Sequence, residues 1–129
     1  MTEAKPKILA VDDENDVLLI LKTALKDEYD VRTASNGPDA LASAEEEVPD
    51  LVILDMMMPQ MDGFEVMAEL KARDATNHVP VIFLTGISDK SKIRRALDMG
   101  TQYYIVKPFD YNDLLTKVQM ALKDAQAAS

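Results

Sequence analysis

Five short apolar segments recur along the chain, and stretches with helical periodicity separate them. The segments are KILAV (7–11), DVRTAS (30–35), LVIL (51–54), VPVIFLT (79–85) and YYIV (103–106). Elsewhere apolar residues recur three or four positions apart, which predicts helices over about 14–26, 38–47, 64–70, 88–100 and 110–122. Ser88 and Asp110 are the predicted N-caps of the last two. Strand and helix alternating five times predict a parallel sheet with helices on both faces.

The composition of each segment predicts its place in the sheet. The first, third and fourth segments are almost continuously apolar, as strands covered on both faces should be. The second segment is mixed and the fifth is short, so both are predicted edges. This pattern favours a flavodoxin-like (βα)5 fold, a doubly wound α/β sheet with strand order 2-1-3-4-5. We expect one domain over 7–123, an N-terminal tail at 1–6, and a C-terminal tail, frayed or beginning a linker, at 124–129.

Charge and composition exclude several classes of function. The 129 residues carry a formal net charge of −9, which disfavours binding to nucleic acid or to an anionic membrane. No cysteine is present, so disulfides, thiolate zinc sites and cysteine nucleophiles are excluded. No apolar run is long enough for a signal peptide or a membrane span. We expect a cytoplasmic protein.

Polar side chains close the predicted strands. Asp12 and Asp13 follow the first strand, Asp55 the third, Thr85 ends the fourth, and Lys107 follows the fifth. Ligands of such sheets bind beyond the carboxyl ends of the strands, where the strand order reverses, so these five side chains should meet at one edge. Carboxylates held together repel unless a proton or a cation joins them. Oxygen ligands without histidine or cysteine select a hard cation, Mg²⁺ or Mn²⁺.

This set of groups matches the requirements of phosphoryl transfer to a carboxylate. Asp55 would be the nucleophile, Asp12 and Asp13 would hold the metal, and Lys107 would stabilise the developing charge. Thr85 would donate a hydrogen bond. Taken singly, the features have simpler explanations: the acids after the first strand suit a helix N-terminus, and Asp62-Gly63 reads as a turn.

Four motifs together resemble the receiver domain of bacterial response regulators over about residues 7–122. They are VDDE (11–14), DMMMPQMDG (55–63), LTG (84–86) and KPF (107–109). The resemblance implies that Asp55 accepts a phosphoryl group from a phosphohistidine or from a small donor such as acetyl phosphate. It also implies Mg²⁺ bound by Asp13, Asp55 and the backbone carbonyl of Met57, with Asp12 acting mainly through water. The Lys107-Pro108 peptide is usually cis in that family.

The same resemblance implies a signalling switch. Thr85 and Lys107 would contact the phosphoryl oxygens, and Tyr104 would turn inward as Thr85 moves. The partners implied are a sensor histidine kinase or phosphotransfer protein, and a downstream target or covalently attached output domain. The partner would bind the surface formed by the fourth helix, fifth strand and fifth helix. A phosphorylation-dependent dimer is a further possibility that the resemblance leaves undecided. Tyr103, Gly86 and Gln60 depart from the commonest residues of the family, which leaves the partner open.

Two rival functions remain at this point. Phosphatases of the haloacid dehalogenase type also use an aspartate at a strand end with Mg²⁺, but they place a second aspartate two residues later as general acid. Here that position is Met57, so turnover would lack its proton donor. The other rival is an interaction module that is not phosphorylated. Neither a P-loop nor a dinucleotide-binding glycine motif occurs in the chain.

Overall fold

A computed structural model describes residues 4–86 and 90–128, in which five strands alternate with five helices. They are β1 (Lys7–Val11), α1 (Asn15–Leu25), β2 (Asp30–Ala34), α2 (Gly37–Glu46), β3 (Leu51–Asp55), α3 (Gly63–Ala72), β4 (Val81–Thr85), α4 (Lys90–Asp98), β5 (Tyr103–Val106) and α5 (Tyr111–Ala128). All strand pairs are parallel, in the order β2-β1-β3-β4-β5. The predicted fold and strand order are confirmed.

Alternate side chains of the inner strands pack into two separate cores. On β1, Leu9 and Val11 join the cluster that includes residues of α2 and α3, whereas Ile8 and Ala10 join the cluster that includes residues of α1 and α5. Successive side chains of a strand point to opposite faces, so a continuously apolar strand supplies both layers. The two cores fix the carboxyl ends of β1, β3 and β4 relative to one another.

Some boundaries differ from the sequence-based expectation. β4 begins at Val81 rather than at residue 79, since Pro80 has no N–H to donate to the sheet. Residues 124–128, which were predicted to fray or to begin a linker, continue α5 as far as Ala128. The Tyr103 hydroxyl donates a hydrogen bond to the Asp124 carboxylate, which ties this last part of the helix to β5.

Helix ends mostly follow their predicted signals. Backbone N–H groups of Asn112 and Asp113 donate to Asp110 Oδ1 at 2.7 and 3.3 Å, so Asp110 caps α5 as expected. Gly100, with φ of +98°, follows the end of α4. Ser88, the predicted N-cap of α4, lies outside the described residues. Within the described ranges, no helix has the length and apolar character needed to cross a membrane.

Candidate functional site

Three carboxylates meet at the carboxyl end of the sheet. Asp55 is the last residue of β3 and Asp12 follows the adjacent β1; both side chains are buried, and Asp13 beside them is exposed. One oxygen from each carboxylate lies within 4.8 Å of the others. The predicted convergence of these three side chains is therefore confirmed. Parallel strands bring their ends to the same edge, which is why residues far apart in the sequence meet here.

Lys107 inserts its ammonium group among the carboxylates. Its Nζ lies 3.0 Å from Asp12 Oδ2, 3.5 Å from Asp55 Oδ1 and 3.7 Å from Glu14 Oε1, and its side chain is 18% exposed. The Lys107 N–H donates to the Thr85 carbonyl at 2.7 Å, which extends the pairing of β5 with β4. The Lys107-Pro108 peptide is cis, as the resemblance implied. The lysine thus connects the end of β5 to the carboxylates of β1 and β3.

The single lysine does not neutralise the carboxylates. Burial and the nearby charge of Asp12 raise the pKa of Asp55 from 3.8 to about 6, although Lys107 opposes the rise. Burial is also the main cause of the raised pKa of Asp12. Burial acts to lower the pKa of Lys107, but Asp12, Asp55 and Glu14 outweigh it and the pKa is raised. An oxygen-only site with excess negative charge fits a hard divalent cation such as Mg²⁺.

The loop after β3 is held by Asp62 and Gly63, which the sequence had suggested were only a turn. Asp62 Oδ1 accepts a hydrogen bond from the N–H of Glu65, whose carboxylate accepts one from the N–H of Asp62, forming a capping box for α3. Gly63 N–H donates to the Met56 carbonyl at 3.0 Å. A Cβ on Gly63 would overlap the carbonyl oxygen of Asp55. The D-x-x-E spacing was the signal for this cap.

Met57 and Thr85 border the carboxylates in different ways. The Met57 N–H donates weakly to Asp55 Oδ1 at 3.4 Å, and the residue is 55% exposed, whereas its neighbours Met56 and Met58 are buried. Thr85 is buried at the end of β4, and its hydroxyl donates to the Gly86 carbonyl at 3.3 Å. Pairing of Asp55 with Leu84 of β4 fixes the backbone at the end of β3, whereas Met57 beyond the strand is largely exposed.

An open groove of about 680 Å³ leads to Asp55. The charged groups on its walls are Glu14, Asp55 and Lys107, and its apolar lining includes Ile20, Met57 and Phe109. Gly86 also lines it, and among the described residues other than its chain neighbours no heavy atom lies within 4 Å of a Cβ placed there. Asp55, whose side chain is 5% exposed, lines a groove that is open to solvent as far as the described residues show.

Tyr104 occupies a half-buried position on β5. Its ring packs against the core cluster that contains Ala96 and Phe83. Lys117 of α5 donates to the Tyr104 carbonyl at 2.9 Å, and its ammonium lies 5.5 Å from the ring centroid. The ring is thus neither free in solvent nor fully enclosed.

Comparison with known proteins identifies the family. A family model described as the response regulator receiver domain matches residues 8–119. The chain belongs to this family. The chemotaxis protein CheY4 of Vibrio cholerae has a structure that aligns with 92% of this chain and 99% of its own, at 33% identity and a TM-score of 0.86. Receiver domains act in two-component signalling as switches rather than as turnover enzymes, and members typically bind Mg²⁺.

Two curated relatives are longer regulators. The chain is 41% identical over 126 residues to the protein named "Probable transcriptional regulator ycf27" of Porphyridium aerugineum. It is 36% identical over 124 residues to the alkaline phosphatase synthesis transcriptional regulatory protein PhoP of Bacillus subtilis. In both cases this receiver domain spans 51% of the relative's length.

Proposed function

We propose that Asp55 is the phosphoacceptor of this receiver domain and that its phosphorylation transmits a signal. The observation that carries the proposal is the position of the Asp55 carboxylate, within 4.8 Å of Asp12 and Asp13 oxygens and 3.5 Å from the Lys107 ammonium. A nucleophile, a metal-ligating pair and a fixed cation are the groups that phosphoryl transfer requires. The open groove supplies access for the donor.

Each residue of the site has a distinct task. A carboxylate oxygen of Asp55 forms the new bond to phosphorus while the bond from phosphorus to the donor's imidazole nitrogen breaks. Asp12, Asp13, Asp55 and the Met57 carbonyl would hold Mg²⁺, with Asp12 acting mainly through water. The cation, when bound, neutralises charge on the phosphoryl oxygens. Lys107 pairs with one phosphoryl oxygen.

Phosphatases use a similar set of site residues, but we expect this chain to carry out only self-phosphorylation and autodephosphorylation. Met57 stands where a phosphatase of the haloacid dehalogenase type needs its general acid, and its exposed thioether cannot donate a proton. We expect no sustained turnover of small phosphomonoesters. Continuous release of phosphate over many turnovers by the purified protein would contradict this limit.

The switch is proposed to act through Thr85 and Tyr104. A phosphoryl group on Asp55 adds about −1.5 to −2 units of charge, which a hydroxyl donor can bind. Movement of Thr85 toward it would leave space into which Tyr104 turns further. The surface of α4, β5 and α5 then changes, and a target protein, an attached output domain or a second phosphorylated copy reads it. A bias of a few kcal/mol is enough to shift such an equilibrium.

Phosphorylation with acetyl phosphate and Mg²⁺ tests the acceptor. We expect incorporation of a single phosphate per chain. Hydroxylamine should remove this phosphate, and Asp55→Asn should abolish its incorporation. Asp74→Asn is a matched control, since Asp74 is exposed in the turn after α3. Mg²⁺-dependent binding of beryllofluoride, lost in Asp55→Asn, provides a second measurement. Labelling that survives in Asp55→Asn and resists hydroxylamine would place the phosphate elsewhere.

Replacement of Thr85 by alanine separates chemistry from signalling. We expect labelling of Asp55 to persist, because the hydroxyl is not the nucleophile. The response of Tyr104 to beryllofluoride, followed by NMR of its ring, should decrease. An unchanged response in Thr85→Ala would exclude this route, while leaving Asp55 as acceptor.

The kinase partner is proposed from the family. A sensor histidine kinase or a phosphotransfer protein is expected to supply the phosphohistidine, and both would reach Asp55 through the groove. Transfer from a phosphorylated kinase to the wild-type chain, and not to Asp55→Asn, would support this partner.

A further inference from the structure

We propose that Glu14 determines phosphodonor specificity by disfavouring donors of high net negative charge. This inference rests on the proposed role of Asp55 as phosphoacceptor. Glu14 lines the groove that leads to Asp55, and its carboxylate lies beside the ammonium of Lys107. It would act on the approach of the donor and not in the chemical step.

The position of Glu14 couples it to the cation of the site. Glu14 Oε1 lies 3.7 Å from Lys107 Nζ, and the Glu14 side chain is 64% exposed. Lys107 is already shared between Asp12 and Asp55, at 3.0 and 3.5 Å. Glu14 is thus a third carboxylate drawing on one ammonium, and the one of the three that is exposed to an approaching donor.

The Glu14 side chain has no comparable structural task. Glu14 occupies the N-cap position of α1, but its side chain makes no capping hydrogen bond. Its backbone N–H donates to Asp12 Oδ1 at 2.9 Å, a contact that does not depend on the side chain. An ion pair this exposed contributes little to stability. Substitution of the carboxylate should therefore leave the fold and the backbone of the site intact.

Two electrostatic effects of Glu14 act in the same direction. Its negative charge repels an anionic donor in the groove, and its pairing with Lys107 reduces the positive charge that the donor meets. Both effects scale with donor charge, so a dianion is slowed more than a monoanion. For a dianion at about 7 Å in water-like surroundings, removal of one charge should increase the rate roughly three- to tenfold at low salt.

The test compares Glu14→Gln with Asp16→Asn. Asp16 is also exposed in the first turn of α1 but does not line the groove, so its substitution changes the net charge equally. Phosphorylation rates are measured with acetyl phosphate, a dianion near neutral pH, and with phosphoramidate, whose protonated nitrogen leaves a net monoanion. Each rate is measured with Mg²⁺ at low and at high ionic strength, and beryllofluoride binding confirms that the site is intact.

We expect Glu14→Gln to accelerate labelling by acetyl phosphate about three- to tenfold and labelling by phosphoramidate by a smaller factor, with both gains reduced at high salt. Asp16→Asn should give less than half of that gain. Equal gains for the two variants, equal gains for the two donors, or slower labelling in Glu14→Gln would overturn the inference. Failure of Asp55 as acceptor would appear differently, either as absence of labelling in the wild-type chain or as labelling that persists in Asp55→Asn.

Discussion

Replacement of Asp55 by asparagine should stabilise the metal-free protein, and the gain should depend on pH. Burial and the charge of Asp12 raise the pKa of Asp55 from 3.8 to about 6 in the folded chain. Between these values the folded chain binds more protons than the unfolded chain, so stability decreases as pH rises. At about 1.4 kcal/mol per pKa unit, the ionised carboxylate costs roughly 3 kcal/mol above pH 6.

The expected gain is smaller than this full cost. The asparagine amide is still buried, and Lys107 loses one of its three carboxylate neighbours. We expect Asp55→Asn to raise the free energy of unfolding by about 1–3 kcal/mol near pH 8, and by much less near pH 4. Urea unfolding followed by circular dichroism, with a chelator present, measures both values.

Two comparisons make the result decisive. Asp74→Asn removes a carboxylate from an exposed turn and should change stability by less than about 0.5 kcal/mol. Added Mg²⁺ should stabilise the wild-type chain by mass action and narrow its difference from Asp55→Asn. A variant no more stable than wild type near pH 8, or a gain that is the same at every pH, would show that Asp55 is not a destabilised carboxylate.

Four substitutions near the site test the geometry. Gly63→Ala should lower the free energy of unfolding by about 2 kcal/mol or more, because its Cβ would overlap the Asp55 carbonyl oxygen, whereas Gly86→Ala should be tolerated. Equal losses of stability for the two variants in urea titration would contradict this. Asp62→Ala should cost about 1 kcal/mol by removing the capping box, and an unchanged unfolding midpoint would argue against the cap. Gln60→Gly should stabilise by about 0.5–1 kcal/mol, since Gln60 has a φ of +70°, and loss of stability would contradict that strain.

The sequence carried enough information for the fold and for the meeting of the acids. Continuous apolar strands, mixed edge segments and helical periodicity are properties of local sequence, and together they admit few topologies. Once the strand order is known, Asp12, Asp13, Asp55 and Lys107 must share one edge of the sheet. Beyond the strand order, this prediction needed only the residue at which each strand ends.

Details that depend on contacts between residues far apart in the sequence, or on close backbone packing, were not predictable in the same way. The contact between Glu14 and Lys107 joins a helix N-terminus to the end of β5, and no periodicity relates those positions. The continuation of α5 to Ala128 depends on tertiary contact, since Tyr103 bonds to Asp124. Gly63 could be read as a turn residue, but its need to lack a Cβ follows from the closeness of the β3 backbone.

The electrostatics of the site and its proposed function have a common cause. The two cores hold Asp55 and Asp12 together in a buried position, where one lysine compensates only part of their charge. Repulsion between the carboxylates of Asp55 and Asp12 would drive them apart if the backbone could move, but the packed strands hold them in place. The repulsion therefore persists until a cation binds, and it favours cation binding by the amount that it destabilises the metal-free fold. A site arranged in this way responds strongly to a change in charge, which is what a phosphorylation switch requires.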